Sequence, residues 1–135
     1  MRFMLDTNVV IDILTSRDGY EDSLQVVKAC ELGIVEGFVS AITVNDIMYI
    51  LRKHMNPKLI RETVKSLLLI VDVASVTKSD ISSAFASEMN DFEDAVQSSC
   101  AERMKVDYIV TRNGRDFANS TIAAVSPYDA LRILQ

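Results

Sequence analysis

The most constraining feature of the sequence is a short apolar run near its start that ends abruptly in polar residues. Residues 3–5 have the character of an inner strand of a parallel sheet, and the apolar positions of 9–14 suit a helix packed over it. Asp6, Thr7 and Asn8 lie between them. Asp6 therefore follows the carboxyl end of a strand, where open α/β sheets bind ligands. On this stretch alone, a role for Asp6 as a helix cap is an equal alternative.

Apolar runs and helical periodicity alternate along the rest of the chain. The patterns predict further strands at residues 37–41, 71–76, 108–110 and 122–125. They predict helices around residues 24–32, 43–52, 58–69, 79–87 and 91–104, and a last one that begins at Ser126-Pro127. Strands that alternate with helices imply a parallel sheet covered on both faces. With 135 residues and no linker-like segment, we expect a single domain over residues 1–135.

The charge balance bears on the partners that the protein could have. Fourteen Lys and Arg against nineteen Asp and Glu give a net charge of −5. Such a chain is a poor candidate for non-specific nucleic-acid binding through bulk charge. That objection weakens if some of the acids are gathered to hold cations, so the positions of the acids matter more than their sum.

The cysteines and the hydropathy pattern indicate a cytoplasmic location. Cys30 and Cys100 lie far apart in apolar helical patterns, which favours buried thiols in a reducing compartment. The longest apolar run, residues 67–71, is stopped by Asp72. Asp6 comes too early for a signal peptide, and we expect no membrane-spanning segment.

Four acidic residues are expected to converge at one edge of the sheet. Two predicted strands, residues 3–5 and 108–110, end directly in polar residues, and two of the acids lie in what is predicted to be the first turn of a helix. The four acids are Asp6, Asp46, Asp94 and Asp116. A convergent set of carboxylates is costly unless cations neutralise it, and oxygen-rich sites suit Mg²⁺ or Mn²⁺. Such a constellation is typical of metal-assisted phosphodiester hydrolysis.

Four motifs of the chain resemble those of PIN domains, specifically of the VapC-like branch. They are Leu5-Asp6-Thr7-Asn8 and the segments at residues 40–47, 91–95 and 109–117, read as SAITVNDI, DFEDA and IVTRNGRDF. Together they cover essentially the whole chain. The resemblance implies a three-layer α/β/α sandwich with a central parallel sheet of about five strands. It also implies an acidic Mg²⁺ or Mn²⁺ site and endoribonuclease activity. Many such proteins are toxins held inactive by a small antitoxin, and many are homodimers.

The resemblance carries over to individual acids. Asp6 matches the first acid of the family, and Asp94 matches the acid at the start of its long helix. Asp46 stands where the family usually has Glu, and its shorter side chain is expected to reach a metal through water. Its alternative role is the acidic half of a capping box with Thr43.

The last motif departs from the family pattern at one position. Asn113 stands where many members carry the fourth acid, and Asp116, three residues later, could supply the missing carboxylate if the turn folds inward. A solvated turn acid is the alternative for Asp116. Asp91, the first residue of its predicted helix, is better interpreted as an N-cap than as a metal ligand.

Polar residues at the rim of the acids are candidates for substrate binding. Hydroxyl and amide groups there could meet a phosphate or orient ligands, although turn and cap hydrogen bonds explain them as well. Arg112 could contact the substrate backbone, since phosphate contacts position nucleic acid. The candidates are Thr7, Asn8, Thr111, Arg112 and Asn113.

Three other functions compete with a nuclease. The first is a degenerate domain that binds RNA or a protein partner without cleavage, motivated by Asn113 and the shorter Asp46. The second is a phosphatase of the haloacid-dehalogenase type, because Asp6-Thr7-Asn8 resembles its nucleophile motif, but Asn8 lacks the required carboxylate. The third is a receiver domain, which is disfavoured because no suitably placed Lys follows a strand.

Overall fold

Five parallel strands form one sheet at the centre of the molecule. The computed structural model describes all 135 residues, and the strands lie in the order β3-β2-β1-β4-β5, each parallel to its neighbours. Their bounds are β1 Arg2–Leu5, β2 Glu36–Ser40, β3 Asp72–Ala74, β4 Tyr108–Val110 and β5 Ala124–Val125. The predicted α/β sandwich with about five parallel strands is confirmed.

Seven helices connect and cover the strands. They are α1 Thr7–Thr15, α2 Tyr20–Glu31, α3 Ala41–Ile50, α4 Pro57–Leu67, α5 Lys78–Ala86, α6 Phe92–Arg103 and α7 Pro127–Ile133. Two short 3₁₀ segments, Leu51–Lys53 and Gly114–Phe117, complete the regular structure. None of the helices is both long enough and apolar enough to cross a bilayer.

The alternation of side chains along β1 separates two layers of core. Phe3 and Leu5 pack into one apolar cluster with residues of α1, α2 and α4. Met4 points to the other face and packs with residues of α6 and β4, Cys100 and Ile109 among them. Because β1 is buried on both faces, it forms the apolar run that the sequence shows. Both cysteines are buried free thiols, as expected.

The start of α3 differs from the prediction. Strand β2 ends at Ser40, and the helix begins at Ala41 rather than at Thr43. The Thr43 N–H donates to the Ser40 hydroxyl over 3.1 Å, so Ser40 is the N-cap. The predicted capping box of Thr43 with Asp46 is therefore wrong, and Asp46 lies in the second turn of α3 rather than in the first. A reciprocal capping box occurs instead at the start of α5, between Thr77 and Asp80.

Strands β3 and β5 are shorter than predicted. The Val71 N–H still donates to the Leu67 carbonyl, so Val71 belongs to the turn that ends α4. Before β5, the Ile122 N–H donates to the Ser120 hydroxyl and the backbone stays in a turn. Both are the outermost strands of the sheet. Each pairs with a neighbour on one side only, so its length is limited by that one partner.

Candidate functional site

An open pocket of about 310 Å³ lies at the carboxyl edge of the sheet, and it is rich in acids. Strand β1 leads into it, α3 contributes its carboxyl-terminal half and α6 its first turn, and the loop after β4 closes one side. The lining residues are Asp6, Thr7, Asn8, Ile11, Arg17, Asp46, Ile50, Glu93, Asp94, Asn113 and Asp116. The structure thus brings together the four acids singled out in the sequence, and it adds a fifth, Glu93. We call these five side chains the acid pocket.

Asp6 is the most deeply placed member of the acid pocket. It is 8% exposed and caps α1, since the Thr7 N–H donates to its Oδ1 over 2.9 Å. Its Oδ2 accepts from the Asn8 amide over 3.1 Å and from the Thr111 hydroxyl over 2.7 Å. Burial raises the pKa of Asp6, although the hydrogen bonds from Thr111 and Thr7 oppose that shift. The cap and the site are therefore the same residue, and the two interpretations do not exclude each other.

Glu93 and Asp46 form a pair of carboxyl groups in contact. Their hydrogen bond raises the pKa of Glu93 to about 8, and the burial of Glu93 adds to the shift. Two carboxyl groups at hydrogen-bond distance hold a proton between them more easily than they hold two charges. Sequence reasoning missed Glu93 as a site residue. The available signal was two consecutive acids, Glu93 and Asp94, in the first turn of a helix at the ligand-binding edge.

Asp94 has a strongly raised pKa of about 7. Its burial is the largest cause, followed by the charges of Asp91, Asp6 and Asp116. The Asp94 N–H donates to Asp91 Oδ1 over 2.9 Å, so the prediction of Asp91 as N-cap of α6 is confirmed. A cap interaction thus fixes the backbone of Asp94, while its carboxyl group faces other acids.

The loop after β4 brings both Asn113 and Asp116 to the pocket. The Asp116 N–H donates to the Asn113 carbonyl over 3.0 Å, and the 3₁₀ turn that follows buries Phe117 in the core. Phe117 anchors the turn, which holds the Asp116 side chain on the pocket side. Whether Asp116 replaces the missing carboxylate at position 113 stays a prediction.

Among the remaining predicted residues, Thr111 and Asn8 support Asp6 with their side chains, and Arg112 and Asn113 are exposed at the rim. Thr111 is buried, and its hydroxyl donates to Asp6 and accepts from the Asn113 N–H over 3.0 Å. Asn8 donates to Asp6 and accepts from the Arg112 N–H over 3.3 Å. The Thr7 hydroxyl donates to that of Thr43. These contacts position the acid, and contact with a substrate stays a prediction for all five rim residues.

The donor set of the acid pocket suits a hard divalent cation. All of its candidate ligands are oxygens, and none of its five carboxylates forms an ion pair with a Lys or Arg. No three of these acids are close enough to enclose one ion together. Mg²⁺ typically keeps several waters and takes only one or two carboxylates, so the residues fit such an ion without a preformed cage.

Comparisons with known proteins bear on the family and the fold of the chain. The sequence profile of the PIN domain family matches residues 2–115. A comparison with curated protein sequences finds no match. Among solved structures, the chain is similar to VapBC2 from Rickettsia felis bound to a DNA fragment of its promoter. The identity is 15%, the alignment covers 93% of this chain and 98% of the other, and the TM-score is 0.72.

Two further structures extend the comparison. A toxin–antitoxin complex from Klebsiella pneumoniae is 22% identical, with 93% of this chain and 97% of the other covered and a TM-score of 0.71. VapC20 from Mycobacterium tuberculosis, described as a Sarcin-Ricin loop cleaving toxin, is 12% identical. It is matched over 79% of this chain and 86% of its own, with a TM-score of 0.61. At such low identity these likenesses establish the fold alone.

Proposed function

Because the chain belongs to the PIN domain family, we propose that it is a metal-dependent endoribonuclease that hydrolyses RNA phosphodiester bonds. The observation that supports the proposal most is the acid pocket itself. Five carboxylates from four separate parts of the chain share one opening, and none of them forms an ion pair with a Lys or Arg. An arrangement of that kind is costly for stability and is explained by a function that supplies the missing positive charge.

Mg²⁺ or Mn²⁺ is the cofactor that the proposal assigns to the pocket. Asp6 and Asp94 would hold it directly, with Asp46 and Asp116 as further ligands through bound water. Once bound, the ion would neutralise the scissile phosphate and lower the pKa of an attacking water. The chain's own contribution is positional, because Thr111 and Asn8 orient the Asp6 carboxylate through hydrogen bonds. The hydrogen bond to Asp46 raises the pKa of Glu93 to about 8, so Glu93 would release a proton when a cation binds.

Of the three competing functions, the structure disfavours two and leaves support for one. The phosphatase and the receiver domain both require a lysine near the acids, and no lysine lines the pocket. The degenerate domain keeps one supporting observation, Asn113 in place of an acid. Asp116 beside it returns a carboxylate to the same pocket, which favours an active enzyme.

The biological role that we propose is that of the toxin in a type II toxin–antitoxin pair. The support is the likeness of the fold to chains solved as VapBC2 and as a toxin–antitoxin complex. A small antitoxin protein and a second copy of this chain are the partners that this role implies. Light scattering of the purified protein, alone and mixed with a candidate antitoxin, tests both associations.

The decisive experiment is cleavage of a pool of structured RNAs by the purified protein. We expect cutting with Mg²⁺ or Mn²⁺, none with a chelator, and none by the Asp6→Asn variant. Asp72→Asn is the matched control, because Asp72 is exposed at the opposite edge of the sheet and makes no side-chain hydrogen bond or ion pair. An Asp6→Asn variant that cuts as well as Asp72→Asn would refute the proposal. RNA binding without cleavage in every condition would favour the degenerate domain.

A further inference from the structure

A fully buried aspartate lies beneath the rim of the acid pocket. Asp12, on α1, is 0% exposed and lies among apolar residues of the helix. Arg112 Nε lies 2.7 Å from its Oδ2, and an Arg17 guanidinium nitrogen lies 3.9 Å from its Oδ1. Neither oxygen accepts a well-aligned hydrogen bond, so the attraction is mainly ionic. Two arginines from distant parts of the chain thus share one buried carboxylate.

The backbone near each arginine is also held in place. Helix α1 ends at Ser16, whose left-handed conformation turns the chain back so that the Arg17 N–H donates to the Asp12 carbonyl over 3.0 Å. Arg112 follows Thr111 directly, and its N–H donates to Asn8. Both Thr111 and Asn8 also donate to Asp6. Arg112 is therefore tied to the network that orients the central acid of the pocket, and Arg17 is tied to the helix that Asp6 caps.

Both guanidinium groups keep donors available at the surface. The side chains of Arg17 and Arg112 are 48% and 42% exposed, and neither forms an ion pair with any acid other than Asp12. Arg17 is the one cationic residue that lines the acid pocket. A guanidinium has five N–H donors in a fixed fork, so contact with one carboxylate leaves several of them free for an anion.

The Asp12 ion pairs are poorly explained as a stability device. A buried charge pair typically contributes little to stability compared with apolar residues of the same volume. Two arginines on one buried carboxylate also leave a net positive charge at this rim. A chain of phosphodiesters carries a negative charge at every link. One of its phosphates could face the metal in the acid pocket while the next one is attracted by this positive charge.

We propose that Arg17 and Arg112 form a phosphate-binding pair for the RNA backbone, and that Asp12 is the positioning residue that holds both in place. We call these three residues the arginine clamp. The inference rests on the proposed function for the identity of the substrate, but it concerns binding and not cleavage. The clamp would hold a phosphodiester next to the one that faces the acid pocket, and so set where the strand enters.

The test is RNA affinity in a chain whose cleavage is blocked by Asp94→Asn, measured by fluorescence anisotropy with single-stranded RNA in Mg²⁺ over a series of salt concentrations. Added Arg17→Gln or Arg112→Gln should weaken binding about tenfold and lower the salt slope by roughly 0.7 each, the value for one phosphate contact on a single strand. Arg132→Gln is the matched control. That arginine is exposed on α7, stacks on Tyr128, and makes the same change of charge.

The Asp12→Asn variant distinguishes a positioning role of Asp12 from an effect of net charge, because the two predict opposite changes in RNA affinity. The change makes the net charge less negative by one, so bulk electrostatics alone would tighten RNA binding. The clamp predicts weaker binding, because the arginines lose the group that holds them. Arg112→Lys provides a second route if Asp12→Asn does not fold, since it keeps the charge and loses the Nε contact; the clamp predicts weaker binding there too.

The outcomes distinguish this inference from the proposed function. If Arg17→Gln and Arg112→Gln bind RNA as Arg132→Gln does, or if no variant binds RNA at all, the clamp is wrong, even when the unsubstituted protein cleaves. If Asp12→Asn or Arg112→Lys binds as tightly as its parent, Asp12 is not a positioning residue. Selective loss of binding in the clamp variants supports the inference, even when the unsubstituted protein shows no cleavage and the nuclease proposal fails.

Discussion

The buried carboxylate of Asp80 and the carboxylates of the acid pocket have pKa values that shift in opposite directions. Asp80 on α5 is 2% exposed and accepts hydrogen bonds from Arg103 on α6 and from the Thr77 N–H. Burial acts to raise its pKa, but these partners outweigh burial and lower it. In the acid pocket the pKa of Asp94 rises to about 7 and that of Glu93 to about 8.

The difference lies in the neighbours and not in the degree of burial. Asp80 is the more deeply buried, yet it stays ionised because Arg103 supplies the opposite charge, and the same arginine also donates to the Ser75 carbonyl. The acids of the pocket face one another instead. At Asp80 the arginine comes from the neighbouring helix, so the ion pair ties α5 to α6. Where the chain leaves several acids without a cation, the site is prepared for a charge that comes from outside.

The largest effect should come from removing one acid of the pocket. We expect Asp94→Asn to lower RNA cleavage on the order of 10³-fold, because a bound metal ion typically contributes several kcal/mol to the transition state. Stability without metal should not fall, since the change relieves repulsion from Asp6 and Asp116. Cleavage rates with Mg²⁺ and urea unfolding with chelator measure the two effects. If Asp94→Asn cleaves RNA as fast as Asp72→Asn, the acids of the pocket are not prepared for a metal ion, and the contrast with Asp80 fails.

Breaking the ion pair between Arg103 and Asp80 should lower stability, unlike the loss of a pocket acid. Arg103→Met leaves the buried Asp80 carboxylate without its partner, and such losses cost about 3–5 kcal/mol. The Arg103 side chain is about one-third exposed, so we expect about 3 kcal/mol off the free energy of unfolding. Urea unfolding at pH 7 measures it, with Lys105→Met as the control for the loss of one exposed positive charge nearby. A change below about 1 kcal/mol would mean that this ion pair does not hold α5 against α6.

The two groups should also give stability opposite dependences on pH. The raised pKa values of Glu93 and Asp94 mean that the folded protein binds more protons than the unfolded chain between about pH 4 and 8. Stability without metal therefore falls as the pH rises through that window, by roughly 1 kcal/mol after allowance for solvent screening. The lowered pKa of Asp80 contributes in the other direction, since its stabilisation is complete above the pKa of an unfolded Asp and is lost as the pH falls through the folded pKa.

Thermal unfolding between pH 4.5 and 8, with chelator and with saturating Mg²⁺, measures how steeply stability changes with pH. We expect Mg²⁺ to flatten this slope, because a bound cation keeps the pocket acids ionised. The double variant Glu93→Gln, Asp94→Asn should flatten it without metal. An unchanged slope in that variant would show that the acids of the pocket are not its source.

The sequence predicted the parts of the molecule that depend on local patterns. The run at residues 3–5 is apolar because β1 is buried on both faces, and Asp6 follows because the strand ends at the ligand-binding edge. Asp91 is identifiable as a cap because Asp favours that position and the N–H that donates to it, that of Asp94, is only three residues away. The resemblance to PIN domains then brought acids from distant segments into one expected pocket.

The parts that the sequence did not predict depend on tertiary contacts. Residues 40–46 contain two overlapping capping signals, and the choice of Ser40 follows from its pairing with Ala74 at the end of β3. Glu93 joins the acid pocket because α3 brings Asp46 against it. The ion pairs of Asp12 depend on the fold as well, since its closest partner, Arg112, lies 100 residues further along the chain.

The smallest effect should come from restoring the acid that the family pattern expects at position 113. Asn113→Asp adds a carboxylate to a pocket that already has Asp116 beside it. One more charge at the surface of such a pocket interacts with a cation by about 1 kcal/mol or less, so we expect Mg²⁺ affinity to rise by at most about fivefold. Stability without metal should fall slightly, because the new charge faces uncompensated acids. Calorimetric titration with Mg²⁺ and unfolding with chelator measure both. A rise in affinity of a hundredfold or more would mean that Asp116 does not serve as the fourth acid, and that the natural chain binds metal with an incomplete set.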